Sequence, residues 1–201
     1  MAFEESSTVV KTKYFLLVFL FSASALATGA KDGGGGGVVV CPISNGAKSA
    51  RLFDLVERTA VRSVYAGDYR NQLAHIKQKL NDQGYSRLAQ TIDKMLGFKL
   101  VSELSRQAND LGPHWPIDPN CSLMWVAYYD DLQDELQIDR ELFDIMSEED
   151  RAALLLHEAV YYRARRIREF VPNSARVRAT VRNLIQSRPL NSNDLFNRIL
   201  R

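Results

Sequence analysis

The side chains best suited to chemistry lie close together in one stretch of this sequence, residues 147–170. They are a histidine, an acid, a tyrosine and two arginines: His157, Glu158, Tyr161, Arg165 and Arg168. Histidine followed by glutamate starts the HExxH motif of zinc hydrolases, in which two imidazoles on one helical face hold the metal and the glutamate activates its water. Here Tyr161 stands at the second histidine position, and tyrosine is a poor substitute for a neutral imidazole.

A zinc site would therefore need His75 and His114 to arrive from distant segments. We expect no cofactor, and zinc is the metal that an atypical hydrolase using His157 and Glu158 as catalytic residues would require. Two other interpretations of His157 remain open. It forms a polar clamp on an anionic group together with Tyr161 or Arg168, or it hydrogen-bonds a backbone carbonyl at the edge of the core.

The stretch 147–170 has the pattern of a long amphipathic helix. Ser147 is a good N-cap, with Asp150 three residues later as a short capping-box acid. Acids crowd the first turn and arginines the last turns, which suits the helix dipole. Apolar residues recur every three or four positions and form one stripe: Ala152, Leu155, Leu156, Ala159, Val160, Ile167 and Phe170. At about 100° per residue, His157 falls at the edge of this stripe, where it faces a boundary groove, and Glu158 faces a more open surface.

The first 27 residues have the pattern of an export signal. Lysines precede an apolar stretch that is too short to span a bilayer, and the small residues that a signal peptidase reads end at Ala27. An uncleaved membrane anchor is the alternative. Residues 28–37, with five consecutive glycines, predict a flexible linker, and residues 38–201 predict a single globular domain. We expect the mature chain to be periplasmic or secreted and to have no transmembrane segment.

Export affects the interpretation of the two cysteines, Cys41 and Cys121. In an oxidising compartment such a pair predicts a disulfide. The alternatives are a pair of metal-binding thiolates or a redox couple, and no CxxC spacing supports either of them.

The remaining patterns predict a mainly helical α+β domain, with a small antiparallel sheet of about three strands packed on a helical bundle. The predicted strands are Val38–Cys41, Leu123–Tyr129 and Glu135–Asp139, and the last two form a hairpin around Asp130–Asp134. Asn45-Gly46 predicts a tight turn. Helices are predicted to begin at Ser49, to end at Gly84, to begin at Ser86, and to span Leu100–Leu111, Ala175–Ser187 and Asn193–Leu200. The proline-rich segment Gly112–Asn120 predicts a loop.

Positive charge is concentrated at the end of the chain. Ten arginines and only two acids lie between positions 163 and 201, although the whole chain has a net charge of only +2. Because arginine grips carboxylates and phosphates bidentately, this region predicts a surface that binds anions. The alternative is a solvated surface partly paired with the acidic stretch 130–150. Nucleic acid is not the expected partner, because export separates the protein from it and the basic region has few aromatics to stack bases.

Several short motifs resemble those of exported bacterial proteins that have no assigned function. They are the glycine run followed by VVVC, the spacing of Asp54 and Glu57 after Ser49, the run LLLHEAVYY, and the segment SARVR at 174–178. The resemblance covers most of the mature chain. It implies export and a common fold, and it implies no particular activity.

We therefore expect an exported protein of the bacterial envelope that acts as a binding or accessory protein. A polar groove on the 147–170 helix, formed near His157 by Tyr161, Arg168, Ser174 and Arg178, would recognise an anionic envelope component or a small polar ligand. The alternative is the atypical, possibly metal-dependent hydrolase, and the third candidate is a purely structural interaction module. The sequence carries no prediction of the oligomeric state.

Overall fold

The computed structural model describes residues 36–57, 61–104, 106–107, 118–166, 174–191 and 193–201. All of these residues belong to one unit of the chain, Gly33–Arg201. The predicted signal peptide and most of the predicted linker lie outside the described residues. So do His114, most of the proline-rich segment, and Arg168.

Short strands and helices follow one another along the described chain. The strands are β1 (Gly37–Pro42), β2 (Lys48–Leu52), β3 (Lys99–Val101), β4 (Arg106–Gln107), β5 (Ser122–Trp125), β6 (Ala127–Asp130) and β7 (Glu135–Asp139). The helices are α1 (Phe53–Val56), α2 (Tyr69–Asp82), α3 (Ser86–Met95), α4 (Arg140–Asp144), α5 (Glu148–Arg166), α6 (Ala175–Ile185) and α7 (Leu195–Leu200). The fold is α+β and mainly helical, as predicted, and two small sheets stand in place of one.

The first sheet is antiparallel throughout and has the strand order β2-β1-β5-β4. Asn45 and Gly46, both with positive φ (66° and 76°), make the predicted turn and join β1 to β2 as a hairpin. The helix predicted to begin at Ser49 is wrong, because Ser49 lies inside β2. Ala50 and Leu52 are buried at alternate positions of that strand, which is the period of two that a half-buried strand shows.

The predicted disulfide between Cys41 and Cys121 is present and closes 80 residues of chain. It ties the end of β1 to the residue before β5. The two strands are also paired directly, from Gly37 opposite Trp125 to Val40 opposite Ser122. The disulfide therefore reinforces a strand pairing between distant parts of the sequence.

The second sheet has the order β3-β7-β6. Its β6–β7 hairpin confirms the predicted one, and β3 adds to β7 in parallel. The predicted helix Leu100–Leu111 is wrong where the chain is described, because β3 and β4 occupy that stretch. The predicted strand Leu123–Tyr129 is divided at Val126, a fully buried residue at which the chain passes from the first sheet to the second.

Helix α5 is the central element of the domain. Ser147 caps it as predicted: its Oγ accepts from the amide of Asp150 at 3.1 Å and donates to the Asp150 carboxylate at 2.5 Å. Helices α2, α3, α6 and α7 pack around it, together with β2. Every residue from 152 to 160 is buried, so α5 is enclosed on all sides over these turns and not only along its apolar stripe.

Candidate functional site

His157 lies inside the protein and does not face a groove. Its side chain is 1% exposed, and its Nδ1 lies 2.7 Å from Oδ2 of Asp54, whose side chain is equally buried. Asp54 belongs to α1, the short helix that follows β2 and contacts α5 and α6. The prediction of a groove-facing histidine is therefore wrong, because α1 covers the side of α5 that the sequence pattern assigns to the boundary.

Glu158 is also buried, at 3% exposure, although the sequence places it on an open surface. Its Oε1 accepts a hydrogen bond of 2.6 Å from the backbone amide of Gly36. Gly36 and Gly37, which the sequence assigns to the linker, are themselves buried. The chain entering β1 thus lies against this face of α5 and supplies the partner that Glu158 needs.

The approach of the chain at Gly36 leaves no room for a side chain. A Cβ atom at this position would lie 2.5 Å from Cδ1 of Leu154, a fully buried residue, and 3.5 Å from Oε1 of Glu158. We expect Gly36→Ala to lower the free energy of unfolding by about 1–3 kcal/mol, the usual cost of overpacking a core. Urea unfolding measures this, with Gly97→Ala as the matched control because its Cβ would meet only one backbone oxygen, at 3.3 Å. Equal losses in the two variants would contradict the prediction.

Burial and neighbouring charges shift the protonation of both residues in the same direction. Burial by itself lowers the pKa of His157, but the charge and hydrogen bond of Asp54 outweigh it and raise that pKa above 6.5. Burial raises the pKa of Glu158 above 4.5, against the opposing effects of His157 and the Gly36 amide. Both groups therefore hold their protons more tightly in the folded protein than in the unfolded chain.

This shift predicts that the free energy of unfolding falls as pH rises. The contribution of His157 is fully present below its unfolded pKa of 6.5 and is lost as pH rises through the higher folded pKa. The raised pKa of Glu158 acts in the same sense from 4.5 upwards. Urea unfolding between about pH 5 and pH 9 should show this fall in the wild type and a flatter profile above pH 6.5 in His157→Gln. Parallel profiles in the two proteins would show that His157 titrates alike in the folded and unfolded states.

Arg178 is likewise buried, at 1% exposure, and its donors are already used. Nε and Nη2 bind the two carboxylate oxygens of Glu57 at 3.0 and 2.7 Å, and Nη1 donates to Ser174 Oγ at 2.7 Å. Arg182 adds a bond of 2.8 Å to the same carboxylate. Burial acts to raise the pKa of Glu57, but the bonds and charges of Arg178 and Arg182 lower it overall. Predicted ligand contacts from Ser174 and Arg178 are therefore not supported, since both side chains are turned to internal partners.

The structure does bring several of the predicted site residues together. The Tyr161 ring is stacked on that of His157, with centroids 6.3 Å apart and planes 14° from parallel. Tyr161 is partly exposed, whereas His157 is not. The predicted contribution of Arg168 lies outside the described residues. What is seen is a buried polar cluster, consisting of Asp54, Glu57, His157, Glu158, Ser174 and Arg178.

The metal that the HE motif would imply has no ligand set in the described part of the chain. No group of three or more histidine, cysteine, aspartate or glutamate side chains is placed there to hold an ion. His75 is exposed on α2 and stacks on Tyr65, with centroids 6.2 Å apart. His114 lies outside the described residues.

The cluster has one feature of an acid–base site. Asp54 orients the His157 ring through Nδ1, and His157 Nε2 is buried with no hydrogen-bond partner among the described residues. An imidazole oriented in this way is the arrangement of a general base. At 1% exposure it lies out of reach of a substrate in this conformation. The sequence carries no signal for the pairing of Asp54 with His157 beyond the presence of Asp54 in one of the short motifs that resemble exported proteins.

A different group of polar side chains does surround an open cavity. A space of about 350 Å³ between α3 and α5 is lined by three cations and two neutral polar residues: Arg87, Gln90, Thr91, Lys94 and Arg163. We call this space the basic pocket. Four of its residues come from α3 at spacings of three, four and seven, so they share one face of that helix. This spacing is the signal that the sequence contains for the pocket, and no recognised motif accompanies it in α3.

Arg163 and Lys94 differ in the partners that balance their positive charges. Lys94 contacts the carboxylate of Asp134, donates to Tyr162 OH at 3.0 Å, and lies 4.9 Å from the centre of that ring. Burial alone would lower the pKa of Lys94, but these partners raise it. Arg163 donates Nη2 to the Ile199 carbonyl at 3.2 Å, while its Nε is buried without a partner among the described residues. Burial, and then the charge of Arg87, lower the pKa of Arg163.

Two further arginines of the basic region, Arg165 and Arg166, follow the alternative that the sequence left open. Arg165 contacts Asp131, and Arg166 lies 3.0 Å from Asp134. Part of the basic region is therefore paired with the acidic hairpin turn. Arg163 is not among the paired residues in the described ranges, and it is the one that borders the pocket.

Comparison with protein-family models, with curated proteins and with solved structures finds no match to this chain. The resemblance to exported bacterial proteins thus rests on the short sequence motifs alone. Among the described residues, no helix combines the length and the apolar character needed to cross a membrane.

Proposed function

We propose that this chain is an exported protein of the bacterial envelope that binds an anionic ligand in the basic pocket between α3 and α5. One observation supports this above the rest. Two arginines, Arg87 and Arg163, border the same cavity without a carboxylate partner in the described ranges. Arg163 is partly buried and Arg87 is exposed. The positive charge of Arg87 lowers the pKa of Arg163, and an anion between the two guanidinium groups would relieve this repulsion. The proposal keeps the expected binding role and its place on the α5 helix, and moves the site away from His157.

Two features favour the envelope as the place where this binding occurs. The first 27 residues, which lie outside the described chain, have the pattern of an export signal. The Cys41–Cys121 disulfide is of a kind that persists in oxidising compartments such as the periplasm. The ligand class that fits is an anionic envelope component or a small polar metabolite with a negative group.

The pocket is suited to binding because part of it is fixed before a ligand arrives. Lys94 is held by Asp134 and by the Tyr129 and Tyr162 rings, so it loses little freedom when it meets an anion. Arg163 is held at Ile199 through Nη2 and its Nε is buried, so its guanidinium group is also ordered before a ligand arrives. A site whose donors are already ordered binds more tightly for the same number of contacts.

Isothermal titration with inorganic phosphate and with citrate tests the proposal. A hydrogen bond to a charged group contributes about 1.5–3 kcal/mol, so Arg163→Gln is expected to weaken binding by about ten- to a hundredfold. Added salt should weaken wild-type binding as well. Arg176→Gln is the matched control, because Arg176 is an exposed arginine on α6 that does not line the pocket. If neither anion binds, or if Arg163→Gln and Arg176→Gln bind alike, the proposal is wrong.

A second candidate function is the atypical hydrolase, and the Asp54–His157 pair is the observation that favours it. The buried Nε2 of His157 has no partner in the described chain, so once the cluster opens it can exchange a proton with a substrate. It would act as an acid while the raised pKa of His157 keeps the ring protonated, and as a base at higher pH. Purified protein should then hydrolyse model esters or peptides, and His157→Gln should abolish that activity while leaving anion binding intact. Metal analysis of the same preparation addresses zinc. Turnover that survives His157→Gln would remove this candidate.

A further inference from the structure

The basic pocket carries at least two positive charges that no carboxylate in the described ranges balances. Lys94 is paired with Asp134, and that carboxylate also contacts Arg166. Arg163 has only the Ile199 carbonyl, and no ion pair in the described chain involves Arg87. A ligand that neutralises the two arginines must therefore bring two negative charges. A monoanion such as a single carboxylate would leave one guanidinium unpaired.

The donors of the pocket favour a ligand whose charges lie on one centre. Guanidinium groups bind two oxygens of one anion through their parallel N–H bonds. Arg87 and Arg163 come from different helices, α3 and α5, yet border one cavity, so a single tetrahedral anion offers oxygens to both. A dicarboxylate carries its two charges at opposite ends of a carbon chain. It therefore presents only one planar, singly charged carboxylate to each arginine.

The types of the lining residues indicate what kind of molecule carries the anionic group, which we call the body of the ligand. The five lining residues include no aromatic and no aliphatic side chain, so the pocket offers no hydrophobic residue to hold an acyl chain, and its side-chain ends favour a polar body. Gln90 contributes an amide, while the Thr91 hydroxyl already donates to the Arg87 carbonyl at 2.8 Å and keeps only its acceptor capacity. The volume of about 350 Å³ exceeds what one small ion fills and lies at the lower end of ligand pockets.

Building on the proposed function, we infer that the basic pocket recognises a phosphate monoester on a polar body such as a sugar or a polyol. The phosphate would lie between Arg87 and Arg163, with Lys94 beside it. Gln90 and Thr91 would face the hydroxyl groups of the body, as donor and acceptor. A terminal phosphate on a lipid headgroup offers the same chemistry as a soluble sugar phosphate.

Titration with glucose 6-phosphate and glucose 6-sulfate is the decisive comparison, because these probes have the same shape and differ in charge. At pH 7.5 the phosphate monoester is close to a dianion and the sulfate ester is a monoanion. The phosphate is expected to bind at least about tenfold more tightly. The difference should shrink as the pH falls below about 6, where the second phosphate proton binds. Equal affinity for the two esters at pH 7.5 would overturn the inference.

Variants test whether the preference for the phosphate ester over the sulfate ester arises in the basic pocket. Arg87→Gln and Arg163→Gln should each reduce the phosphate-over-sulfate ratio severalfold, since each removes one of the two unbalanced charges. Arg176→Gln should leave that ratio unchanged. Succinate serves as a dianion with separated charges and should bind more weakly than glucose 6-phosphate. If succinate bound as tightly as glucose 6-phosphate, the pocket would recognise only the total charge of the ligand, and the inference would fail.

Sedimentation with vesicles distinguishes the two sources of the phosphate. Phosphatidylcholine vesicles with phosphatidic acid present a lipid phosphate monoester, and vesicles with phosphatidylserine carry negative charge without one. Capture by the first kind alone, reversed by glucose 6-phosphate, assigns the source to a lipid headgroup. Binding of glucose 6-phosphate without vesicle capture assigns it to a soluble ligand. Equal capture by both kinds of vesicle would contradict phosphate recognition.

The failure of this inference can be told apart from the failure of the proposed function. If phosphate, citrate and both glucose esters all fail to bind, the anion-binding function itself is wrong. If they bind with similar affinities and the binding still depends on Arg163, the function holds and only the monoester class is wrong. Circular dichroism of each variant confirms that lost binding does not come from lost folding.

Discussion

Replacing Arg178 by methionine should lower the free energy of unfolding by about 3–5 kcal/mol, the cost of leaving a buried charge without its partner. Arg178 is 1% exposed, and two of its nitrogens hold Glu57 while a third holds Ser174. The variant leaves the Glu57 carboxylate with Arg182 alone, which is partly exposed. Methionine fills much of the same volume, so the loss measures charge and hydrogen bonding more than packing.

The double variant Glu57→Gln, Arg178→Met is the control for this effect. Removing both charges of a buried pair is often nearly neutral, whereas removing one is not. Urea unfolding should therefore show the double variant to be more stable than Arg178→Met alone. A loss below about 1 kcal/mol in the single variant would mean that solvent already reaches the pair. The cluster would then contribute little to joining α1 to α6.

The central helix shows what local sequence can predict. Ser147 and Asp150 form the expected capping pair because both groups belong to the same turn and need no other part of the chain. The part of the apolar stripe that the structure describes, from Ala152 to Val160, is buried as its spacing predicts. Predictions of this kind succeed because the interacting groups are at most four residues apart.

The same helix shows where local reasoning fails. The helical pattern predicts that His157 lies at a boundary and Glu158 on a surface, because polar residues beside an apolar stripe usually contact water. Their actual partners, Asp54 and Gly36, are 103 and 122 residues away in sequence. Whether a charged side chain is buried depends on a partner elsewhere in the chain. Helical periodicity carries no information about that partner.

Two errors in the fold have the same origin. Ser49 has a side chain that suits a helix cap, but the Asn45-Gly46 turn commits the following residues to a hairpin with β1. The composition of the stretch after Gly97 predicts a helix, but Lys99–Val101 pairs in parallel with β7. In both places a strand that offers unpaired backbone groups outweighs a weak local preference.

The basic pocket was within reach of the sequence only in part. Arg87, Gln90, Thr91 and Lys94 share one face of α3, and that much follows from their spacing. Their approach to Arg163 depends on how α3 packs against α5, which is a tertiary contact. The count of arginines from position 163 onwards includes Arg163. It could not show which of them lack a carboxylate.

Loss of the Cys41–Cys121 disulfide should have an effect of similar size. The bond closes 80 residues, and for a loop of that length the chain-entropy model gives about 4.5 kcal/mol of stabilisation, mainly by restricting the unfolded state. The enclosed segment holds α1, α2 and α3, so the unfolded chain gains much freedom when the bond is cut. The Cys41→Ala, Cys121→Ala variant and the wild type with reductant should both unfold at markedly lower urea concentrations.

The slope of unfolding free energy against urea distinguishes this entropic effect from damage to the native structure. Without the cross-link the unfolded chain expands and exposes more surface, so the slope should rise as the midpoint falls. Damage to the packing around β1 and β5 would lower the midpoint with little change in slope. Reductant should have no effect on the double alanine variant. A wild-type midpoint that is insensitive to reductant would show that the strand pairing of β1 with β5 is sufficient without the bond.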